Sequence, residues 1–297
     1  MTYQFQAGDQ VGWFHDQGHP GGVFHTYDGL KVAGPKDFPR KVHVFLPRDY
    51  EASQNHYPVI YMNDGDTAFF PGGVVYKSWY MADILSDLYA RNQIRQVIVV
   101  AVCPLNRDRE YTHAPVWDRP FGGLEGYATY LANPVKTFID AQYRTLADPN
   151  NTMILGSSHG GLAAFYTATR YPDKFQLVGA LSPSFWVGLD AVPIGLPFAQ
   201  SLKSSALLKL ARSTLQNSQK RLKIYLDWGL VRNGGFHNAF IEARATDRGR
   251  EMQDLLLQAF GYRMNENLFV VEDPIGEHTE ESWSRRMPNA LKLFFGQ

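Results

Sequence analysis

The chain has 297 residues, 44% hydrophobic and 20% charged, so it can bury a sizeable core and is not a disordered polypeptide. Lysine plus arginine and aspartate plus glutamate both number 29. The resulting formal charge of zero, with no basic stripe, argues against nucleic acid or an anionic membrane as partner. The single cysteine, Cys103, excludes an internal disulfide framework and a zinc ribbon, and its apolar surroundings mark it as a buried strand-end thiol.

The N-terminus, "MTYQFQAGDQVGWFHDQGHPGG", carries no basic start, apolar stretch or cleavage site, and no run reaches the length of a membrane span, so a cytoplasmic protein is expected. His15, His19 and His25 cluster there without helical spacing or a third-ligand pattern, and no metal is assigned to them. "GGVFHTY" and "PRKVHVFLP" predict hairpin strands, so residues 1–56 are taken as an antiparallel edge. From residue 57, short apolar runs alternate with amphipathic segments. Strands are predicted at 57–63, 96–103, in "NTMILG", in 175–184, at 221–229 and at 267–273. Helices are predicted at 78–90, at 124–143 with an interruption near Pro134, after "NTMILG", at 246–262 and at 280–296. Segment 187–220 is less regular and is assigned as a flank or cap. Such alternation implies an α/β fold in one domain, 1–297, with a mostly parallel sheet covered by helices on both faces.

The stretch "ILGSSHGGLAAFYTATRYP" sets two serines between a strand and a helix. Gly156-Ser157-Ser158-His159-Gly160 fits G-x-S-x-G, whereas centring the pattern on Ser157 would require glycine at Leu155. Ser158 is therefore the candidate nucleophile. A serine hydroxyl needs a base, and the base needs a carboxylate, in the chain order serine, acid, histidine for this sheet architecture. His278 follows the last strand and precedes a helix with Trp283, Met287, Leu291 and Phe294 on one face, which is the expected place for the base; His237 is its rival. The oxyanion hole needs two backbone donors. The N–H of His159 is one candidate, and the N–H of Asp66 in "MNDGDTAFF" is the other.

With these pieces, the chain resembles the putative-esterase family of α/β-hydrolases, which includes enterochelin and other siderophore esterases, feruloyl esterases and S-formylglutathione hydrolases. The similarity spans residues 40–296 and rests on "RKVHVFLPRDY", "YPVIYMNDGD", "NRDREYT", "GSSHGGLAAFY", "ALSPSFW", "YLDWG" and "GEHTEESWSRRMPNALKLFF". It implies an α/β-hydrolase fold and a serine esterase acting on a small-molecule carboxylic ester, with no metal or organic cofactor. Ser158 would be the nucleophile and His278 the base, with the N–H groups of His159 and Asp66 on the oxyanion. Arg107, Glu110 and Tyr111 match a segment that often lines the family's cleft. Aromatic residues in 110–123, with Phe185 and Trp186, suggest aromatic walls.

One departure concerns the acid. The family usually places it just after the glycine of a "YLDVG"-like strand, but "GLVRNGG" here holds no carboxylate. The candidates are Asp227 on the strand and Glu242 or Asp247 beyond a lengthened loop. Counting back from the next helix favours Glu242, and Asp247 is assigned as that helix's cap. Two rival functions remain: acyl transfer to an acceptor other than water, and a non-catalytic binding protein on the same fold. Oligomeric state has no signature in the sequence.

Overall fold

The structure, a computed structural model, describes residues 1–34, 37–73, 76–116, 118–190 and 201–297. Its strands are β1 (Thr2–Ala7), β2 (Gln10–His15), β3 (Gly22–Leu30), β4 (Arg40–Pro47), β5 (Val59–Met62), β6 (Ile98–Val102), β7 (Thr152–Ser157), β8 (Leu177–Leu181), β9 (Lys223–Gly229) and β10 (Leu268–Asp273). Its helices are α1 (Gly65–Ala68), α2 (Met81–Ala90), α3 (Arg107–Tyr111), α4 (Leu124–Tyr130), α5 (Lys136–Gln142), α6 (His159–Arg170), α7 (Ala206–Gln216), α8 (Ala243–Phe260) and α9 (Glu280–Phe295). Among the described residues, no helix is long and apolar enough to cross a membrane.

The ten strands form one sheet in the order β1-β2-β3-β4-β6-β5-β7-β8-β9-β10. The pairs from β1 to β4, and β4 with β6, are antiparallel, and every pair from β6 to β10 is parallel. In β5, Val59 and Tyr61 join one core layer and Ile60 and Met62 the other, as the two-residue period of a strand requires. The first layer lies under α4 to α8, where Leu162, Leu207, Met252 and Leu256 are buried. The second lies under α2 and α9, where Leu85, Trp283, Met287 and Leu291 meet and Trp79 stacks on Trp283 at 5.7 Å. Truncating Leu291 to alanine would cost about 2–5 kcal/mol.

Three local outcomes follow from backbone chemistry. Pro134 does not break its helix. It sits in a π-helical turn, Leu131–Val135, that absorbs the missing N–H between α4 and α5. The helix expected at 246–262 begins earlier, because a second π-helical turn, His237–Glu242, runs directly into α8. Asp247 therefore lies inside α8, beside Arg244, and caps nothing. The expected flank 187–220 contains α7, and residues 191–200 of it lie outside the described residues.

Strand order reverses at β5, since β6 lies on one side of it and β7 on the other. In an open α/β sheet the crevice beyond the C-terminal ends at such a point is the natural binding place. The loop after β5 and the serine after β7 both open there.

Candidate active site

Ser158 occupies the single residue between β7 and α6, with φ 52° and ψ −124°. Such a conformation costs a non-glycine residue about 1–3 kcal/mol and aims the side chain out of the turn. The flanking glycines are a steric necessity. A Cβ on Gly156 would lie 2.4 Å from the Gly160 carbonyl oxygen, and one on Gly160 would lie 2.8 Å from an Asp64 carboxylate oxygen.

His278 is carried by the loop between β10 and α9 and is largely buried. Its Nε2 lies 2.9 Å from Ser158 Oγ, and its Nδ1 lies 2.5 Å from Glu242 Oε2. Its backbone N–H donates to Asn238 Oδ1 at 2.9 Å. The ring packs edge-on against Trp283 at 4.9 Å. Asn238 and Glu242 stand four residues apart on the same helical turn, one holding the His278 backbone and the other its ring.

Glu242 is fully buried. Its Oε1 accepts from the Gly229 N–H and from Ser182 Oγ, the latter at 2.8 Å. Burial alone would raise this carboxyl, but the hydrogen bond and charge of His278, then the Gly229 N–H, hold it below the ordinary glutamate value. An ionised carboxylate only accepts, so His278 carries its proton on Nδ1 and leaves Nε2 free to accept from the Ser158 hydroxyl. The arrangement can thus draw a proton off Ser158.

Asp227, the other acid candidate, is placed elsewhere. It lies at 3.1 Å from Arg286 Nε and accepts from the Tyr225 hydroxyl at 3.0 Å and from the Ser182 N–H at 3.3 Å. Its short side chain, rooted in β9, is consumed by these partners, whereas Glu242 reaches the imidazole from a helical turn rather than from the expected loop. His237 is exposed, and its ring stacks 6.2 Å from that of His278.

Of the two oxyanion candidates, His159 is the first residue of α6, where a backbone N–H has no intrahelical acceptor. Its imidazole is buried, with Nδ1 3.9 Å from Asp108, and burial followed by the Arg107 charge pushes it well below the ordinary histidine value. Asp66 lies in α1, just after β5, with its side chain exposed. This loop is pinned from below. The Asp64 N–H donates to the Tyr111 hydroxyl at 2.9 Å, and the Tyr127 hydroxyl donates to Asn63 Oδ1 at 2.7 Å. Asn63 Nδ2 in turn donates to the Gly160 carbonyl at 2.8 Å, fastening the loop to the start of α6.

The expected cleft residues divide. Arg107 is partly exposed and grips Asp64 through two hydrogen bonds of 2.7 and 3.0 Å. Glu110 does not face a cleft, because Arg40 holds both its oxygens and the Leu105 N–H takes one of them. Tyr111 is fully buried beneath the loop, so its role is support rather than contact. Trp186 is buried 5.7 Å from the His159 ring, and its indole Nε1 has no partner among the described residues. Phe185 packs edge-on against Phe165 at 5.1 Å in the core and forms no wall, and Trp117 lies outside the described residues.

A mixed sheet covered on both faces, with a strained serine at the strand–helix turn beside its switch point, is the α/β-hydrolase fold. The chain belongs to the family described as "Putative esterase", which it matches over residues 37–294. It is 25% identical over 153 residues to the protein YbbA of Bacillus subtilis, a match covering 50% of this chain and 58% of that one. It is 22% identical over 188 residues to a siderophore enterobactin esterase of Emericella nidulans, covering 56% and 60%. The chain thus spans less than two-thirds of the length of these relatives. A crystal structure of an IroE-like serine hydrolase from Shewanella oneidensis shares the fold, with TM-score 0.65 and 19% identity over 91% of this chain and 78% of that one.

Proposed function

We propose that this protein is a serine esterase that hydrolyses small-molecule carboxylic esters through an acyl-enzyme on Ser158. The observation that carries this reading is the unbroken hydrogen-bonded chain from Ser158 through His278 to Glu242, ending on a strained turn. Ser158 Oγ attacks the ester carbonyl while His278 Nε2 takes its proton, and the imidazolium then gives that proton to the departing alkoxide. Glu242 holds the tautomer and stabilises the imidazolium. The N–H groups of His159 and Asp66 bind the oxyanion, as two donors at the switch point would. Water, activated by the same imidazole, releases the acid. Arg107, which is partly exposed, is the cleft residue retained for substrate contact, whereas Trp186 is buried beside His159, and the relatives' names favour esters of a small-molecule class.

The test is hydrolysis of a panel of nitrophenyl and aryl esters by the wild type and by Ser158→Ala. Activity should fall by a factor on the order of 10⁴ or more. A variant that keeps most of its activity would remove Ser158 from the chemistry.

A further inference from the structure

The turn Ser182–Pro183–Ser184, at the end of β8, is stitched to the nucleophile's own backbone. The Ser158 N–H donates to the Leu181 carbonyl at 2.9 Å, and the Ser184 N–H donates to the Ser158 carbonyl at 3.0 Å. Ser182 has φ 40°, a left-handed conformation that glycine adopts without strain and serine does not. A side chain is nevertheless kept there, and its hydroxyl is fully buried among three polar partners. Ser182 Oγ lies 2.8 Å from Glu242 Oε1, 2.8 Å from Arg286 Nη2 and 3.1 Å from Trp283 Nε1.

Counting protons fixes the direction of these bonds. A serine hydroxyl has one proton and two lone pairs, whereas guanidinium and indole nitrogens only donate. Arg286 and Trp283 take both lone pairs, so the single Ser182 proton points at Glu242. Arg286 cannot turn away easily, because Asp227 lies 3.1 Å from its Nε and Asp273 lies 3.7 Å from its Nη1. The same count applies at the nucleophile. The Ser158 proton is committed to His278 Nε2, so the Ser158 oxygen can only accept from Ser184 Oγ, fully buried at 3.3 Å.

We infer that the Ser182–Ser184 turn is the positioning element of the site, with the Ser182 hydroxyl fixing Glu242 at one end of the chain and the Ser184 hydroxyl fixing Ser158 at the other. Neither serine touches the ester. Each acts through a group that does, or through the carboxylate behind it, and the inference rests on the serine-esterase reading above. It also explains why a strained residue at position 182 is not glycine.

The experiment compares wild type, Ser182→Gly, Ser184→Ala and Ser158→Ala in ester hydrolysis and in reaction with a fluorophosphonate probe. The amount of probe bound at completion counts folded sites. The labelling rate and kcat per counted site report positioning, which a purely structural role would leave alone. In Ser182→Gly, kcat per site should fall about ten- to a hundredfold, the effect of displacing a catalytic group by about an ångström, with KM within about twofold. Labelling should slow in proportion. Ser184→Ala should lose about three- to tenfold by the same measure. If Ser182→Gly fails to fold, Ser182→Ala makes the same comparison at the native backbone angle. Unchanged kcat per site in both the Ser182 and Ser184 variants, with Ser158→Ala silent, would overturn the positioning role alone. Full activity in Ser158→Ala would overturn the serine-esterase reading beneath it.

Discussion

Two imidazole–hydroxyl pairs of nearly equal length lie in different parts of the sheet. In the antiparallel edge, Thr26 Oγ1 is 2.8 Å from His43 Nδ1, and in the parallel half Ser158 Oγ is 2.9 Å from His278 Nε2. What differs is the group behind each pair. Glu242 stands behind His278, whereas the partner beyond Thr26 is a second imidazole, His15, at 2.8 Å. Burial, followed by the Lys41 charge, pushes His43 down to about 4, and burial pushes the neighbouring His25 to about 4. Thr26 also sits in a regular strand, while Ser158 is held at φ 52°. Distance alone therefore does not make a base. A carboxylate must be present to pay for the imidazolium, and a strained turn must present the hydroxyl.

The comparison breaks most sharply at Glu242. Glu242→Gln should lower kcat by about 10³–10⁴, since the amide no longer stabilises the imidazolium or dictates the tautomer. Steady-state ester kinetics would show it, and a loss below tenfold would mean that His278 works without its carboxylate. Asp227→Asn should behave differently. It removes the nearest carboxylate from the buried Arg286, leaving Asp273 at 3.7 Å, and should cost about 3–5 kcal/mol in denaturant unfolding, a larger effect on stability than on chemistry.

The edge histidines give a pH prediction. Above about 6.5 they are neutral whether the chain is folded or unfolded, so their burial carries no pH-dependent cost. As pH falls below 6.5 the unfolded chain takes up protons that folded His25 and His43 refuse until about 4, so stability is lost across that window. Between pH 7 and pH 4.5 the loss should be about 2 kcal/mol for each residue, measured by urea unfolding at the two values, and His43→Phe should flatten part of it. Glu242 adds a lower-pH component. Its depressed carboxyl contributes stability above the ordinary glutamate value that is lost as pH falls below it. The smallest effect is expected from Thr26→Ala, about 1 kcal/mol of stability with kcat unchanged.

Much of the parallel half was legible because each strand is a short apolar run and each helix repeats its buried positions, as Trp283, Met287 and Leu291 do. The first hairpin was less so. Tyr3, Val11 and Trp13 are exposed on an edge, so the alternation that marks a half-buried strand is blurred. The turn carrying Glu242 was read as loop because the adjacent Gly234 and Gly235 precede it and Asn238 is a weak helix former. Gly249 is present for space, since a Cβ there would lie 2.5 Å from the Trp228 ring. Within the site, the spacing of G-x-S-x-G singles out Ser158, and position after the last strand singles out His278. Asn238, Ser182, Ser184 and Arg286 have no such signal. The contacts that bring them into the site, Ser184 to Ser158, Ser182 to Glu242 and Arg286, and Asn238 to His278, span between 26 and 104 residues of chain, and only the fold brings them together.

The most direct measurement is mass mapping of the fluorophosphonate adduct, with its rate of formation, in wild type, His278→Ala and Glu242→Gln. The adduct should form on Ser158 alone, and its rate should fall about 10³-fold or more in His278→Ala, in step with ester hydrolysis. An adduct on Ser157 or Ser184, or an undiminished rate without His278, would contradict the assignment of Ser158 and His278 as nucleophile and base.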